Sequence, residues 1–280
     1  MIENLFIFSG LVLLSGAAYR DNKLIKISKY QIQSNKVPKE FNKFKIIQLS
    51  DFHNYIFNKN NSRLVKKILK ENPDIIVMTG DMVNKYDKDF NVFLNLAETL
   101  SKKYKIYYII GNHEKRLKKE HLNLLIKKLT NLNINVVNDK NVTIIRNNER
   151  IHIYGFDIPL SFYKTKNKPK NIEEVIYKAL NKCEEKNYNI LLAHNPLFFD
   201  IYAKYNVDLT LSGHVHGGMI RLPFIGGLLS PERKFFPKYS EGVYEINNKK
   251  LIVSRGLGYS KPGFRVNNMP EIVSITLLNL

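Results

Sequence analysis

The chain has no tryptophan and a single cysteine, Cys183. One cysteine excludes an intrachain disulfide. It falls in a polar, helical-looking stretch and reads as an inert helix residue. No zinc-finger spacing and no RNA-binding signature occur, and no twin-arginine pair precedes the first apolar run. Residues 36–280 carry no internal repeat and no linker-like composition. Acidic side chains are scarce, 25 against 44 lysines and arginines, which leaves a net charge of +19. Such a balance points to an anionic partner: nucleic acid, an acidic membrane face or an anionic polymer. The lysines are scattered, so a Lys- and Asn-rich bias accounts for the charge equally well, and nucleic acid is disfavoured without a binding motif.

What is present suffices for a large core. The 280 residues are 44% hydrophobic, with 16 tyrosines and 16 phenylalanines, enough for one large domain. Residues 4–19 (NLFIFSGLVLLSGAAY) are uncharged and mostly apolar, slightly short of the ~20 residues that span a bilayer. Residues 1–20 therefore read as a hydrophobic helix serving as membrane anchor or signal segment. Glu3 is the only charged side chain before the run, unlike a secretory n-region. Ser15, Gly16, Ala17 and Ala18 keep cleavage open. Arg20, Lys23, Lys26 and Lys29 follow the run, which places the main domain at the cytoplasmic face of a membrane; the opposite face stays open.

Residues 21–43 read as a tether and entry strand, in which Leu24, Ile25, Ile27, Tyr30 and Ile32 interleave with polar residues. The domain proper is expected over 44–280. Apolar strands at 44–49, 74–78 and 106–110 alternate with helices at 61–72, 89–103 and 118–130, the first with Leu64, Ile68 and Leu69 inward. A hairpin follows at 142–147 and 150–156, then a basic loop at 161–170 and a helix at 172–186. Strands are expected at 190–193 and 207–211, a second hairpin about 247–249, and a last strand at 272–277. Strands alternating with helices indicate a layered α/β fold, whose ligands sit at strand carboxyl ends.

Polar residues gather at those ends. The run LSGHVHGG at 211–218 puts His214 and His216 one residue apart in a glycine-flanked turn, so both imidazoles face one side. Asp51 and His53 follow the first strand of the domain, Asp81 the next, Asn112, His113 and Glu114 the third, and His194 a fourth. Oxygen and nitrogen donors of this kind suit Mn, Fe or Zn and not an iron–sulfur cluster. His121 and His152 lie outside these ends and read as a helix-face and a strand residue.

The ordered set D-x-H (Asp51, His53), G-D (Gly80, Asp81), G-N-H-E (111–114), a strand-end His194 and G-H-x-H (213–216) resembles the calcineurin-like metallophosphoesterases. The segments GGMIRLPFIGG (217–227) and SRGLG (254–258) resemble more narrowly a membrane-associated bacterial subgroup. The resemblance implies a four-layer αββα sandwich and two divalent metal ions. It implies that Asp51, His53 and His216 bind the first ion, that Asn112, His194 and His214 bind the second, and that Asp81 bridges them. His113 is then the catalytic residue that protonates the leaving group or stabilises transition-state charge. Glu114 is expected to orient a ligand, and Arg221, Arg255 and Asp157 to contact substrate.

The expected activity is hydrolysis of a phosphoester or pyrophosphate bond by a monomer. The subgroup resemblance points to a lipid-related substrate such as a nucleotide-linked acylated sugar. The mixed apolar and basic loop 222–239 fits a lipid interface. Rival readings are a nucleotide or cyclic-nucleotide phosphodiesterase, a cell-envelope polymer phosphatase, a metal-bearing scaffold and a basic nucleic-acid binder.

Overall fold

The computed structural model describes residues 24–163, 171–218, 221–222, 226–229, 235–259, 265 and 267–280. The expected hydrophobic helix over residues 1–20 lies outside them, as do parts of the loops 161–170 and 222–239. Among the described residues no helix is long and apolar enough to cross a membrane.

The entry strand β1 (Lys26–Ser34) leads to β2 (Lys45–Leu49), β3 (Ile75–Thr79) and β4 (Lys105–Ile109), with the two-residue β5 (Asn135–Val136) after them. Three helices connect β2 through β5: α1 (Ser62–Glu71), α2 (Asn91–Ser101) and α3 (Lys119–Asn131). The second half contributes β6 (Asn141–Arg146), β7 (Glu149–Phe156), α4 (Ile172–Leu180), β8 (Tyr188–Ala193), the short α5 (Phe199–Tyr202) and β9 (Leu209–Ser212). A small ladder of β10 (Arg221–Leu222) and β11 (Gly226–Gly227) precedes β12 (Gly242–Ile246), β13 (Lys249–Val253) and β14 (Glu271–Asn279). The first sheet runs β1-β14-β2-β3-β4-β5 and the second β12-β13-β9-β8-β7-β6. Both are mixed. Strands β2 to β5 are parallel, with β14 antiparallel to β2. In the second sheet β7, β8, β9 and β13 are parallel, with β6 and β12 antiparallel at the edges.

Burial on both faces explains why β3 and β8 read as continuous apolar runs and not as alternating ones. Ile76 and Met78 pack with Leu64, Ile68, Phe93 and Leu125 from the three helices outside the first sheet. Ile75 and Val77, the alternate residues, meet Ile190, Leu192 and Leu211 of the second sheet. Leu191 and Ala193 turn away to Ile176 and Leu180 of α4 and to Phe199 of α5. Three apolar interfaces thus separate four layers, helix on sheet on sheet on helix.

Both hairpins turn through paired asparagines. Asn147 and Asn148 have φ of 43° and 69°, Asn247 and Asn248 of 50° and 61°, the left-handed pair that a two-residue turn requires and that asparagine tolerates. Local differences from the sequence reading have identifiable causes. Leu69 is 38% exposed because the 100° step from Ile68 carries it off the buried stripe. Helix α4 ends at Leu180, six residues early. The carbonyls of Cys183 and Glu184 are taken by the side chains of Asn206 and Asn189, so the chain turns there. Cys183 is consequently a buried turn residue, not a helical one, and burial pushes its thiol up to about 11.

Ile46 sits fully buried in the interface between the sheets. Ile46→Ala is expected to cost about 2–5 kcal/mol of unfolding free energy. Urea melts monitored by circular dichroism measure this, and a loss below about 1 kcal/mol would contradict the packing described.

Candidate metal centre

The parallel strands carry their polar residues to a common end of the two sheets. Asp51 and His53 leave β2, Asp81 leaves β3, Asn112 and His113 leave β4, His194 leaves β8, and His214 and His216 leave β9. The loops turn abruptly there. Asp51, His53, Asp81, His214 and His216 all have positive φ, between 50° and 72°. Left-handed backbone at five side chains that are not glycine is strain that the surroundings must hold in place.

The surroundings do so with hydrogen bonds. Asp81 Oδ1 accepts from the His113 amide at 2.7 Å. Asp51 accepts at both oxygens from the His214 amide at 3.1 Å. Glu114 is fully buried. Its Oε2 accepts from the amides of Asp81 and Gly111, at 3.0 and 2.9 Å. Its Oε1 accepts from Met82 and Val83, at 2.6 and 3.3 Å. One carboxylate thereby fastens the loop bearing Asp81 to the loop bearing Asn112. Burial and then the charge of Asp81 push Glu114 up to about 7, against those amides. Two glycines are obligatory for space. A Cβ on Gly111 would lie 2.2 Å from Asp81 Oδ1, and one on Gly213 would lie 2.3 Å from Asp51 Oδ2.

The side chains converge in three overlapping groups whose donor atoms lie within 4.8 Å of one another: Asp51, His53 and His216; His53, Asp81 and His113; Asp81, His194 and His214. The Nε2 atoms of His53 and His216 are 3.3 Å apart. Nδ1 of His194 donates to the Thr79 carbonyl at 2.6 Å, which fixes the tautomer and turns the Nε2 lone pair inward. That Nε2 lies 3.2 Å from Asp81 Oδ2 and 3.9 Å from Asp51 Oδ1. With no metal bound that Nε2 carries a proton between the two carboxylates, since Asp81 and Asp51 help to lift the imidazole to about 9, and the buried Asn112 Oδ1 has no hydrogen-bond partner. Two buried carboxylates call for more positive charge than one proton supplies.

Charge follows the same geometry. Burial raises Asp51, with His194 opposing. Burial also acts on Asp81, but His194 and His113 outweigh it and hold that carboxyl well below the usual range. His53 is pushed down to about 3 by burial, and His216 is lowered by burial and by His53; both are neutral and able to donate a lone pair. His113 borders the group. Its Nδ1 accepts from the Lys85 amide at 3.3 Å and its Nε2 lies 4.0 Å from Asp81 Oδ2, so the Nε2 proton faces the centre. Burial lowers its pKa.

The other nominated residues have partners within the chain. Arg221 pairs with Glu241 at 2.5 Å and donates to the Gly217 carbonyl at 2.8 Å. Arg255 is buried between Glu241 at 3.0 Å and Glu271 at 3.1 Å. Asp157 follows β7, but its carboxylate is taken by Lys115 at 2.6 Å. Two residues that the sequence did not single out do border the centre. The Tyr163 ring stands edge-on to His214, centroids 5.0 Å apart, and Asn268 donates to the His216 carbonyl at 2.6 Å. Neither sits in a motif or near one of its histidines in sequence.

The calcineurin-like phosphoesterase family model matches residues 44–218. The chain belongs to this family. A metallophosphoesterase of Aquifex aeolicus is 30% identical over 269 residues, 95% of this chain and 97% of the relative. Phosphodiesterase YaeI of Escherichia coli is 26% identical over 239 residues, 84% of this chain and 82% of that one. Among solved structures, NAD nucleotidase of Haemophilus influenzae superposes with a TM-score of 0.50 at 16% identity, over 76% of this chain and 45% of that one, a likeness of fold. The protein is accordingly a metal-dependent phosphoric ester hydrolase with a dinuclear divalent metal centre, and its clustered aspartates and histidines are the candidate ligands.

The tight fit at Gly213 yields a prediction. Gly213→Ala displaces the Asp51 carboxylate and is expected to abolish tight metal binding while the sheets persist. Metal content by elemental analysis, beside an unchanged far-ultraviolet spectrum, measures it; retention of wild-type metal content would count against the geometry.

Proposed function

We propose that Asp51, His53 and His216 hold one metal ion, that Asn112, His194 and His214 hold the other, and that Asp81 lies between them. The observation that carries this reading is the pair of buried carboxylates, Asp51 and Asp81, that converge on His194 Nε2 and group with His53, His214 and His216. The bound ions supply Lewis acidity and lower the pKa of water. The chain's own groups do the rest. Neutral Asn112, in place of a third carboxylate, limits the negative charge that meets a phosphate. His113 directs its Nε2 proton to the side where the leaving oxygen develops charge. Glu114 holds the Asp81 loop rigid through four amides.

For the substrate we propose a lipid-linked phosphoester or pyrophosphate, such as a nucleotide-linked acylated sugar, met at a membrane to which the N-terminal apolar run anchors the chain, on its cytoplasmic face. Three features support it. The run 4–19 precedes four basic residues. Ile56 and Tyr86, in loops that leave the metal-bearing strand ends, expose 61% and 82% of their surface. Phe235 and Phe236, in the loop beyond the GHVHGG turn, expose 68% and 60%. Apolar side chains among lysines suit an acyl chain beneath an anionic headgroup. The likeness to a phosphodiesterase keeps a second reading, a soluble nucleotide diester.

Purified protein is expected to hydrolyse a chromogenic phosphodiester after chelation only when Mn, Fe or Zn is restored. Asp81→Asn is expected to abolish turnover, and His113→Asn to lower kcat by about 10²–10⁴ at unchanged metal content. A lipid-linked pyrophosphate cleaved no faster than a soluble nucleotide diester would overturn the substrate reading and leave the chemistry standing.

His194 supplies a pH test. Burial opposes its charge most strongly, but Asp81, Asp51 and the Thr79 carbonyl together outweigh it and lift the metal-free imidazole from 6.5 to about 9. Its proton therefore stabilises the metal-free fold fully below pH 6.5, and that contribution fades as pH rises through about 9. An ion on Nε2 must displace the same proton, so metal affinity is expected to rise over this window. Calorimetric titration near neutral pH in two buffers of different ionisation enthalpy reads the released proton. Equal heats in both would remove His194 from the ligand set.

A further inference from the structure

The ion pairs of Arg221 and Arg255 lead to the support of the turn that carries His214 and His216. Glu271, at the start of β14, accepts from the Ser28 hydroxyl and from the Arg255 amide and guanidinium. Arg255 passes the contact to Glu241, and Glu241 passes it to Arg221. Arg221 ends the chain on the Gly217 carbonyl at 2.8 Å. One residue earlier, the His216 carbonyl accepts from Asn268 Nδ2 at 2.6 Å. Asn268 is wholly buried. A Cβ on Gly217 would lie 2.6 Å from Asn268 Oδ1 and 2.7 Å from Arg255 Cγ, so the turn is pressed directly against both side chains.

The same segment reaches Asp51. Arg265, 2% exposed, donates to the carbonyls of Arg255 and Gly258 at 2.8 and 2.6 Å and to that of Asn268 at 3.4 Å. The amides of Leu257 and Gly258 donate in turn to the carbonyls of Ser50 and Asp51, at 2.9 and 2.7 Å. Arg255, Leu257, Gly258, Arg265 and Asn268 therefore brace Asp51 and His216. The opposite group is anchored elsewhere. His194 hangs on Thr79, and Asp81 on Glu114 and the His113 amide. His214 is fixed upstream, by its own amide on Asp51 and by the Gly213 amide on the His194 carbonyl at 3.1 Å.

We propose that Asn268 is a positioning residue for one of the two ions, acting through the His216 carbonyl and leaving the other ion unaffected. The inference rests on the ligand assignment proposed above. Its physical basis is the positive φ of 52° at His216. A left-handed histidine is held by what grips its backbone, and its carbonyl is gripped by the Asn268 side-chain amide at 2.6 Å. Without that donor the turn relaxes and Nε2 leaves the position 3.3 Å from His53 Nε2.

The test loads full-length Asn268→Ala and Asn268→Asp with Mn(II) and reads bound metal per chain together with the electron paramagnetic resonance spectrum. Wild type is expected to hold two ions with an exchange-coupled signal. Both variants are expected to keep one ion with an isolated six-line signal, the second binding about 10–100-fold more weakly. Two ions held at wild-type affinity would overturn the proposal, and so would equal weakening of both ions in a folded variant, the mark of a general structural defect. Should Asn268→Ala fail to fold, Arg221→Gln at the accessible end of the ion chain gives the same reading in weaker form, with the same overturning outcomes. Wild type failing to hold two ions would reject the ligand set itself and not the role of Asn268.

Discussion

Asp51 and Asp81 are almost wholly withdrawn from water, and both approach the same imidazole nitrogen, His194 Nε2, within 4 Å. Isolated carboxylates in such surroundings cost several kcal/mol each, and they persist only beside a compensating positive charge. In the metal-free state a proton on His194 supplies part of that compensation, which is why its imidazole is lifted to about 9. A pair of divalent ions supplies more than one proton can. The rest of the architecture follows from keeping these two carboxylates in place. Parallel strands deliver them to one end of both sheets; Asp81 accepts an amide from the loop after the neighbouring β4, and Asp51 accepts one from the loop after β9 in the other sheet.

The rigidity of the site has a local origin. Five of the candidate ligands lie in left-handed backbone, a conformation that costs of order 1–3 kcal/mol at a residue other than glycine. Such strain is stable only where the surroundings over-determine it. Glu114 meets this need for the Asp81 loop with four amides, and the SRGLG segment meets it for Asp51 with two. Glycine appears where backbone must come nearer than a Cβ permits, at Gly111 against Asp81 and at Gly213 against Asp51. The motif glycines and the motif ligands are therefore one device, and this explains why the five short motifs were recognisable together.

Legibility from sequence followed the range of the interaction. The strands that end in ligands were readable because burial on both faces leaves unbroken apolar runs, as in β3 and β8. Both hairpin turns were readable from adjacent asparagines. The end of α4 was not, because it depends on Asn189 and Asn206 capturing carbonyls from downstream in the chain. The same limit hid the ion pairs of Arg221 and Arg255. Proximity in sequence to the metal turns suggested phosphate, whereas Glu241 and Glu271, brought beside them by the start of β12 and of β14, claim both guanidiniums.

These ion pairs bear on how the enzyme meets an anion. Arg221 and Arg255 already face Glu241 and Glu271, so the two divalent ions are the concentrated source of positive charge at the centre. Attraction at the point of reaction is then concentrated on the atoms where charge develops, where electrostatic stabilisation favours the transition state over the ground state. The +19 of the whole chain acts at longer range and is screened beyond about 8–10 Å at physiological salt. It can draw an acidic surface or substrate toward the protein, but it cannot discriminate one phosphoester from another. Discrimination by contact would need groups that border the centre, and the groups there include the Tyr163 ring, edge-on to His214, while the exposed side chains of Ile56 and Tyr86 leave the same strand ends. Apolar and aromatic groups of this kind suit the part of a substrate that is not phosphate.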